Sequence, residues 1–188
     1  MNIWFTSDHH FGHKNILEYE KYTRPFVDLD EMEEALIDKW NCVVKSNDIV
    51  WHLGDFAFGA KNIAVADRLN GRKKLILGNH DIYPIAEYAK YFEKIYGAFV
   101  YKNCILSHIP VHSDILSDRW SLNIHGHLHS KSISLEDDIY NHWKDPQNAP
   151  TGLVEKKKDE NYFNVSVEQN KLEPFNFDVI QDRINQLK

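Results

Sequence analysis

Long apolar runs are missing from this chain: no stretch approaches the roughly 18 residues that a bilayer-spanning helix needs, so no transmembrane helix is expected. A basic leader and a small-residue cleavage site are missing as well. The opening Met1-Asn2-Ile3-Trp4-Phe5-Thr6-Ser7-Asp8 runs straight into an apolar stretch and does not read as a signal peptide, so a soluble, cytoplasmic protein is expected. Cysteine is scarce. Cys42 and Cys104 stand far apart, have apolar neighbours and lack any paired-ligand spacing, which predicts buried free thiols in place of a disulfide or a zinc knuckle. A basic excess is also absent. The net charge of -6 argues against tight binding of long nucleic acid, because phosphate-backbone affinity rests on clustered Lys and Arg. Finally, no internal repeat or long linker divides the 188 residues, and 43% apolar composition suffices for a proper core, so residues 1–188 are expected to form a single domain.

What is present is a series of short, strand-like apolar runs: Ile3 to Thr6, Ile49 to Leu53, Lys74 to Leu77, Cys104 to Ser107 and Leu122 to Ile124. Each runs straight into a polar cluster. Between the first two, Met32, Leu36, Trp40 and Val43 recur at three to four residue intervals, predicting an amphipathic helix from about Asp30 to Val44, capped by Asp28 or Asp30. Weaker helical patterns cover about Asn62 to Leu69, ending near Gly71, and the stretch after Pro84 to about Tyr91. The segment from Lys144 to Asn161 reads as an exposed excursion, with Pro146, Pro150, Gly152 and the charge run Glu155 to Glu160. Tyr162 to Val167 alternates as a half-buried strand, and Val179, Ile180, Ile184 and Leu187 predict a closing helix from Asp178 to Leu187. Alternating strands and helices favour an α/β fold.

Histidine is abundant, with eleven residues, and it is not scattered. The strand ends carry Asp8-His9-His10, Gly54-Asp55, Gly78-Asn79-His80-Asp81, Ser107-His108 and His125-Gly126-His127-Leu128-His129. Almost all of these are metal-ligand types. The carboxyl ends of strands in open α/β sheets form the crevice where ligands bind, so sequence-distant clusters can converge on one volume. Alternate residues of an extended segment point the same way, which predicts that Asp8 and His10 address one ion, and likewise His127 and His129. Gly54, Gly78 and Gly126 precede these residues, where lack of a Cβ permits a close backbone approach. A set of carboxylate, imidazole and amide oxygen suits manganese, iron, zinc or nickel better than a thiolate-dominated zinc site would. There are more ligands than one ion can use, so a pair of ions is expected. Four added positive charges would reverse the local field of an acidic chain.

Asp8-x-His10, Gly54-Asp55, Gly78-Asn79-His80-Asp81, His108 and Gly126-His127-x-His129 together resemble the signature of the calcineurin-like metallophosphoesterases, particularly the short bacterial and bacteriophage members. That resemblance implies an α/β fold, a four-layer αββα sandwich of two mixed β-sheets flanked by helices. It also implies two divalent ions, manganese foremost. Asp8, His10, Asp55 and His129 would hold one; Asp55, Asn79, His108 and His127 would hold the other, with Asp55 between them and a bridging hydroxide as nucleophile. His80 would face the leaving group as general acid, and Asp81 would orient its ring.

The chemistry has its own logic. A phosphate ester is anionic and repels hydroxide, so two cations about 3.5 to 4 Å apart clamp its oxygens and acidify bound water. An alkoxide leaving group needs a proton, which an imidazole can give. The expected activity is hydrolysis of small phosphodiesters, nucleotides among them. The same core also serves phosphomonoesterases and pyrophosphatases, and a metal-binding scaffold without catalysis is the nonenzymatic alternative. Asn79, His13 and Asn15 are candidates to touch the substrate phosphate. His9 and His125 point away from the ligands in an extended backbone and are expected to pack or to support, while His52, His112 and His142 carry no functional reading. Trp4, Trp40 and Trp51 are expected in the core.

Overall fold

A computed structural model describes residues 1–116, 119–134 and 158–187. The first strand, β1 (Ile3–Thr6), pairs in parallel with β2 (Ile49–His52), β2 with β3 (Arg72–Ile76) and β3 with β4 (Lys94–Tyr96); the short β9 (Phe175–Asn176) lies antiparallel on the other side of β1. A second sheet runs in the order β5 (Phe99–Tyr101), β6 (Cys104–Leu106), β7 (Leu122–His125), β8 (Tyr162–Asn164), antiparallel at β5 and parallel elsewhere. The architecture is the expected one, α/β with two mixed sheets and flanking helices.

The period of two along each strand assigns side chains to layers. Trp4, Val50 and Leu75 face one way, into a core with Met32, Leu36 and Trp40 of the helix Leu29–Val43. Phe5, Trp51 and Ile76 face the other way and meet Cys104, Leu106, Leu122 and Ile124 of the second sheet. The outer face of that sheet presents Ile105 and Tyr162 to Leu116 of the one-turn helix Ser113–Leu116. All three tryptophans expected in the core are there.

The helix Leu29–Val43 starts where the cap requires, with Asp28 accepting the amide of Glu31 at 2.9 Å. Cys42 departs from expectation: it is exposed, because it lies about 200° around the helix from the buried Trp40, and only Cys104 is a buried thiol. The segment near Asn62 forms a 3-10 helix, Ala60–Arg68, and the stretch after Pro84 gives the single turn Ile85–Tyr88. In the closing helix, Phe177–Gln186, the buried stripe is Phe177, Ile180 and Ile184, while Val179 faces solvent. The strand expected to Val167 stops at Asn164, and Val167–Asn170 is a 3-10 turn. Of the expected excursion from Lys144 to Asn161, residues 144–157 lie outside the described residues, as does His142; Lys158 bridges to Ser134. No helix among the described residues is long and apolar enough to cross a membrane.

Candidate metal centre

Parallel register brings the strand ends to one rim. Thr6 lies opposite His52 and His52 opposite Leu75, so the chain leaves β1, β2 and β3 side by side and delivers Asp8, Asp55 and Asn79 together. In the second sheet Leu106, Ile124 and Phe163 are level, which does the same for His108, His127, His129 and the segment after β8. A parallel bridge from Ser7 to Ser166 joins the two rims.

The residues beyond the strand ends are not extended. Asp8, His10, Asp55, His127 and His129 all have φ between 50° and 70°, in the left-handed region that non-glycine residues rarely adopt. Simple alternation therefore does not explain why Asp8 and His10 converge, or His127 and His129: the side chains are aimed by turns. The turns are held by backbone bonds, Asp8 N–H to Gly54 O at 3.0 Å, His10 N–H to Asp55 O at 3.1 Å and Gly126 N–H to His108 O at 3.0 Å. Such conformations cost of order 1–3 kcal/mol each and persist where surrounding contacts over-determine them. Gly54, at φ 95°, passes so close to the neighbouring loop that a Cβ would sit 2.6 Å from the Gly78 nitrogen and 2.7 Å from His108 Nδ1.

Among the described residues two groups result, Asp8 with His10 and His129, and Asp55 with His108 and His127; within each group one candidate ligand atom per residue lies within 4.8 Å of the others. Asp55 joins them. Its Oδ2 is 3.3 Å from His108 Nε2 and 3.6 Å from His10 Nε2. Asn79 Oδ1 is 2.9 Å from the same His108 nitrogen, so the amide belongs to the second group. Asp8 Oδ1 faces His129 Nε2 at 3.9 Å and His10 Nε2 at 4.0 Å, while its Oδ2 accepts from Ser7 Oγ at 2.5 Å and Ser166 Oγ at 2.8 Å. Every ligand position named from the sequence is in this cluster.

His80 borders the groups, with Nε2 at 4.0 Å from Asp55 Oδ2 and its side chain 44% exposed. Asp81 has a different task from orienting that ring. Its carboxylate accepts the amides of Asp55 at 2.8 Å, Gly78 at 2.9 Å and Phe56 at 3.1 Å, pinning the backbone of two ligand loops together. His13 lies beside the site, Nδ1 at 3.2 Å from His10 Nδ1, with its ring stacked on Phe58 at 3.8 Å. His9 and His52 bond to each other at 2.9 Å in the apolar layer, and His125 pairs with the Gly126 carbonyl at 2.8 Å, as expected of packing histidines. His112 is exposed beside Asp114.

Burial and neighbouring charges shift the titrating groups of the cluster in opposite directions. Burial pushes the Asp8 carboxyl up, while burial and the neighbouring His129 hold the His10 imidazole far below its usual range. Burial alone would lower His108 too, but Asp55 and Asp8 hold it at about 9. His10 Nε2 is buried and has no hydrogen-bond partner. This nitrogen, buried without a partner and 4.0 and 3.6 Å from the Asp8 and Asp55 carboxylates, completes a donor set for a divalent ion, and oxygen and nitrogen donors match first-row metals. His108 and His129 each turn Nδ1 toward a fixed acceptor, Leu53 O at 2.8 Å and Glu168 Oε1 at 2.9 Å, which leaves Nε2 for the site.

Arg24 and Phe58 are not among the residues singled out from the sequence, while Ser166 and Glu168 stand out only as part of the late run Asn164-Val165-Ser166-Val167-Glu168, which adds to the resemblance to the short family members but assigns neither residue a role. No local pattern gives any of the four a role at the site: Arg24 in particular lies outside every predicted element and reads as an ordinary polar residue.

The sequence pattern of the calcineurin-like phosphoesterases matches residues 1–180. The Gene 66 protein of Mycobacterium phage L5 is 34% identical over 168 residues, covering 70% of this chain and 79% of the phage protein. An uncharacterized protein of Methanocaldococcus jannaschii is 36% identical over 176 residues, covering 83% of this chain and 93% of the archaeal one. A solved structure of a protein of unknown function from Aquifex aeolicus aligns with a TM-score of 0.64 and 26% identity over 96% of this chain and 98% of that one.

Proposed function

The chain belongs to the calcineurin-like phosphoesterase family, as do its short phage and archaeal relatives, and from that premise we propose that it hydrolyses small phosphodiesters, nucleotides among them, with two divalent metal ions. The observation that carries the reading is the position of Asp55 Oδ2, within 3.6 Å of His10 Nε2 in one group and 3.3 Å of His108 Nε2 in the other. Asp8, His10, Asp55 and His129 would hold one ion, and Asp55, Asn79, His108 and His127 the second. When bound, such a pair supplies Lewis acidity toward the phosphoryl oxygens and lowers the pKa of water. Manganese fits the donor set first, then iron, zinc or nickel.

The side chains supply the rest. His80, exposed at the rim, gives a proton to the departing alkoxide oxygen as general acid. His13 and Asn79 contact the phosphate from either side of the cluster, with the His13 ring supported by Phe58. Asp81 keeps the Asp55 and Gly78 backbones in register, so that ligand and acid are presented from one rigid rim. Residues 1–188 act as one domain in this reading.

The test is hydrolysis by chelator-stripped protein resupplied with manganese(II), using a chromogenic phosphodiester and the matching monoester in parallel. Metal-restored cleavage with diester preference is expected. Monoester preference would reassign the substrate class, and cleavage of neither by protein holding two ions would point to a binding protein.

A further inference from the structure

Arg24 is 1% exposed, an unusual place for a guanidinium, and its neighbours account for it. Nε donates to Glu168 Oε1 at 2.8 Å, and Nη2 lies 2.6 Å from the same oxygen. Nη1 donates to the carbonyl of His9 at 2.9 Å and Nη2 to the carbonyl of Asp8. The same Glu168 Oε1 also takes Nδ1–H of His129, at 2.9 Å. The Glu168 side chain is fully buried between the two.

This chain of contacts joins two ligands that are 121 residues apart in sequence, Asp8 through its backbone and His129 through its ring. It also determines a tautomer. A carboxylate has no proton to give, so His129 must carry a hydrogen on Nδ1, which makes Nε2, 3.9 Å from Asp8 Oδ1, the nitrogen left for a metal ion. Arg24 neutralises Glu168, so the buried carboxylate does not add an uncompensated charge, and it holds the turn in which Asp8 adopts φ 60°.

We propose that Glu168 is a positioning residue for one of the two ions: held by Arg24, it fixes the tautomer and orientation of His129 and so sets the affinity of the Asp8, His10 and His129 group. The proposal rests on the two-metal reading. It predicts a selective effect, because in the Asp55, Asn79, His108 and His127 group the buried histidine, His108, takes its orientation from Leu53 O instead. A carboxylate supporting a ligating histidine typically contributes about 10- to 100-fold in metal affinity.

The experiment is calorimetric titration of metal-stripped protein with manganese(II), for the wild type, Glu168→Ala, Glu168→Gln and His129→Ala. Wild type is expected to bind two ions. Glu168→Ala should weaken one event about 10- to 100-fold, the same event that His129→Ala weakens, and leave the other in place. Glu168→Gln keeps an oxygen that can accept Nδ1–H and should fall between. It also keeps the test alive should Glu168→Ala leave Arg24 unpaired and fail to fold. Nitrogen chemical shifts of His129 in the metal-free wild type, expected to report hydrogen on Nδ1, give a readout independent of binding. Folded variants with two events of wild-type affinity, or a wild-type His129 protonated on Nε2 alone, would overturn the proposal. A wild type that binds no ion would sink the two-metal reading and this inference with it, whereas two normal wild-type events beside unchanged variants would sink this inference alone.

Discussion

Asp81 accepts the backbone amide of Asp55 at 2.8 Å, so the residue between the two ligand groups is held by a carboxylate 26 positions further along the chain. The same carboxylate takes the amides of Gly78 and Phe56, and it is buried. Its role follows from these bonds: it clamps the loop after β2 to the loop after β3.

Asp81→Ala therefore leaves up to three amides without their acceptor, at about 1–3 kcal/mol for each one that water cannot reach. The expected outcome in urea denaturation is a loss of several kcal/mol at most, with weaker metal retention. If Asp81 acted only by orienting the His80 ring, the variant would keep wild-type stability and metal content and lose turnover alone.

Asp55→Asn should lower the content of both ions, since one carboxylate oxygen faces both groups. Elemental analysis after dialysis checks this. Retention of two ions per chain would remove Asp55 from its bridging place.

His80→Ala should spare metal content, because the ring stands at the border of the groups and is half open to solvent. Turnover of a diester with a poor alkoxide leaving group is expected to fall about 100- to 10,000-fold, and that of a nitrophenyl ester by much less, since nitrophenolate needs no proton to depart. Equal losses on both substrates would argue against proton donation.

The two thiols should differ sharply toward an aromatic disulfide reagent at neutral pH. Cys42 is exposed and is expected to react at once, whereas Cys104 is buried between the sheets, where burial pushes its thiol up to about 11. One fast equivalent per native chain and two after denaturation is the expected count. Two fast equivalents would mean that the core between the sheets opens readily.

Much of this protein is legible along the chain. The five apolar runs, the stripe of Met32, Leu36 and Trp40, and the polar clusters at the strand ends are local patterns, and local patterns suffice for element type and for a list of candidate ligands. The ligand chemistry was visible because aspartate, histidine and asparagine recur at the ends of strands, where parallel register must bring them together. Tertiary structure decided how they converge. Left-handed turns at Asp8, His10, His127 and His129, which strand alternation does not anticipate, aim the side chains and are stable only because amides and carbonyls from other loops hold them. It also decided which polar residues support the site. Asp81 faces backbone amides instead of its neighbour's ring, and Arg24 meets Glu168 across 144 positions, because hydrogen-bond partners of buried charges are chosen by proximity in space. Sequence distance carries no trace of that choice.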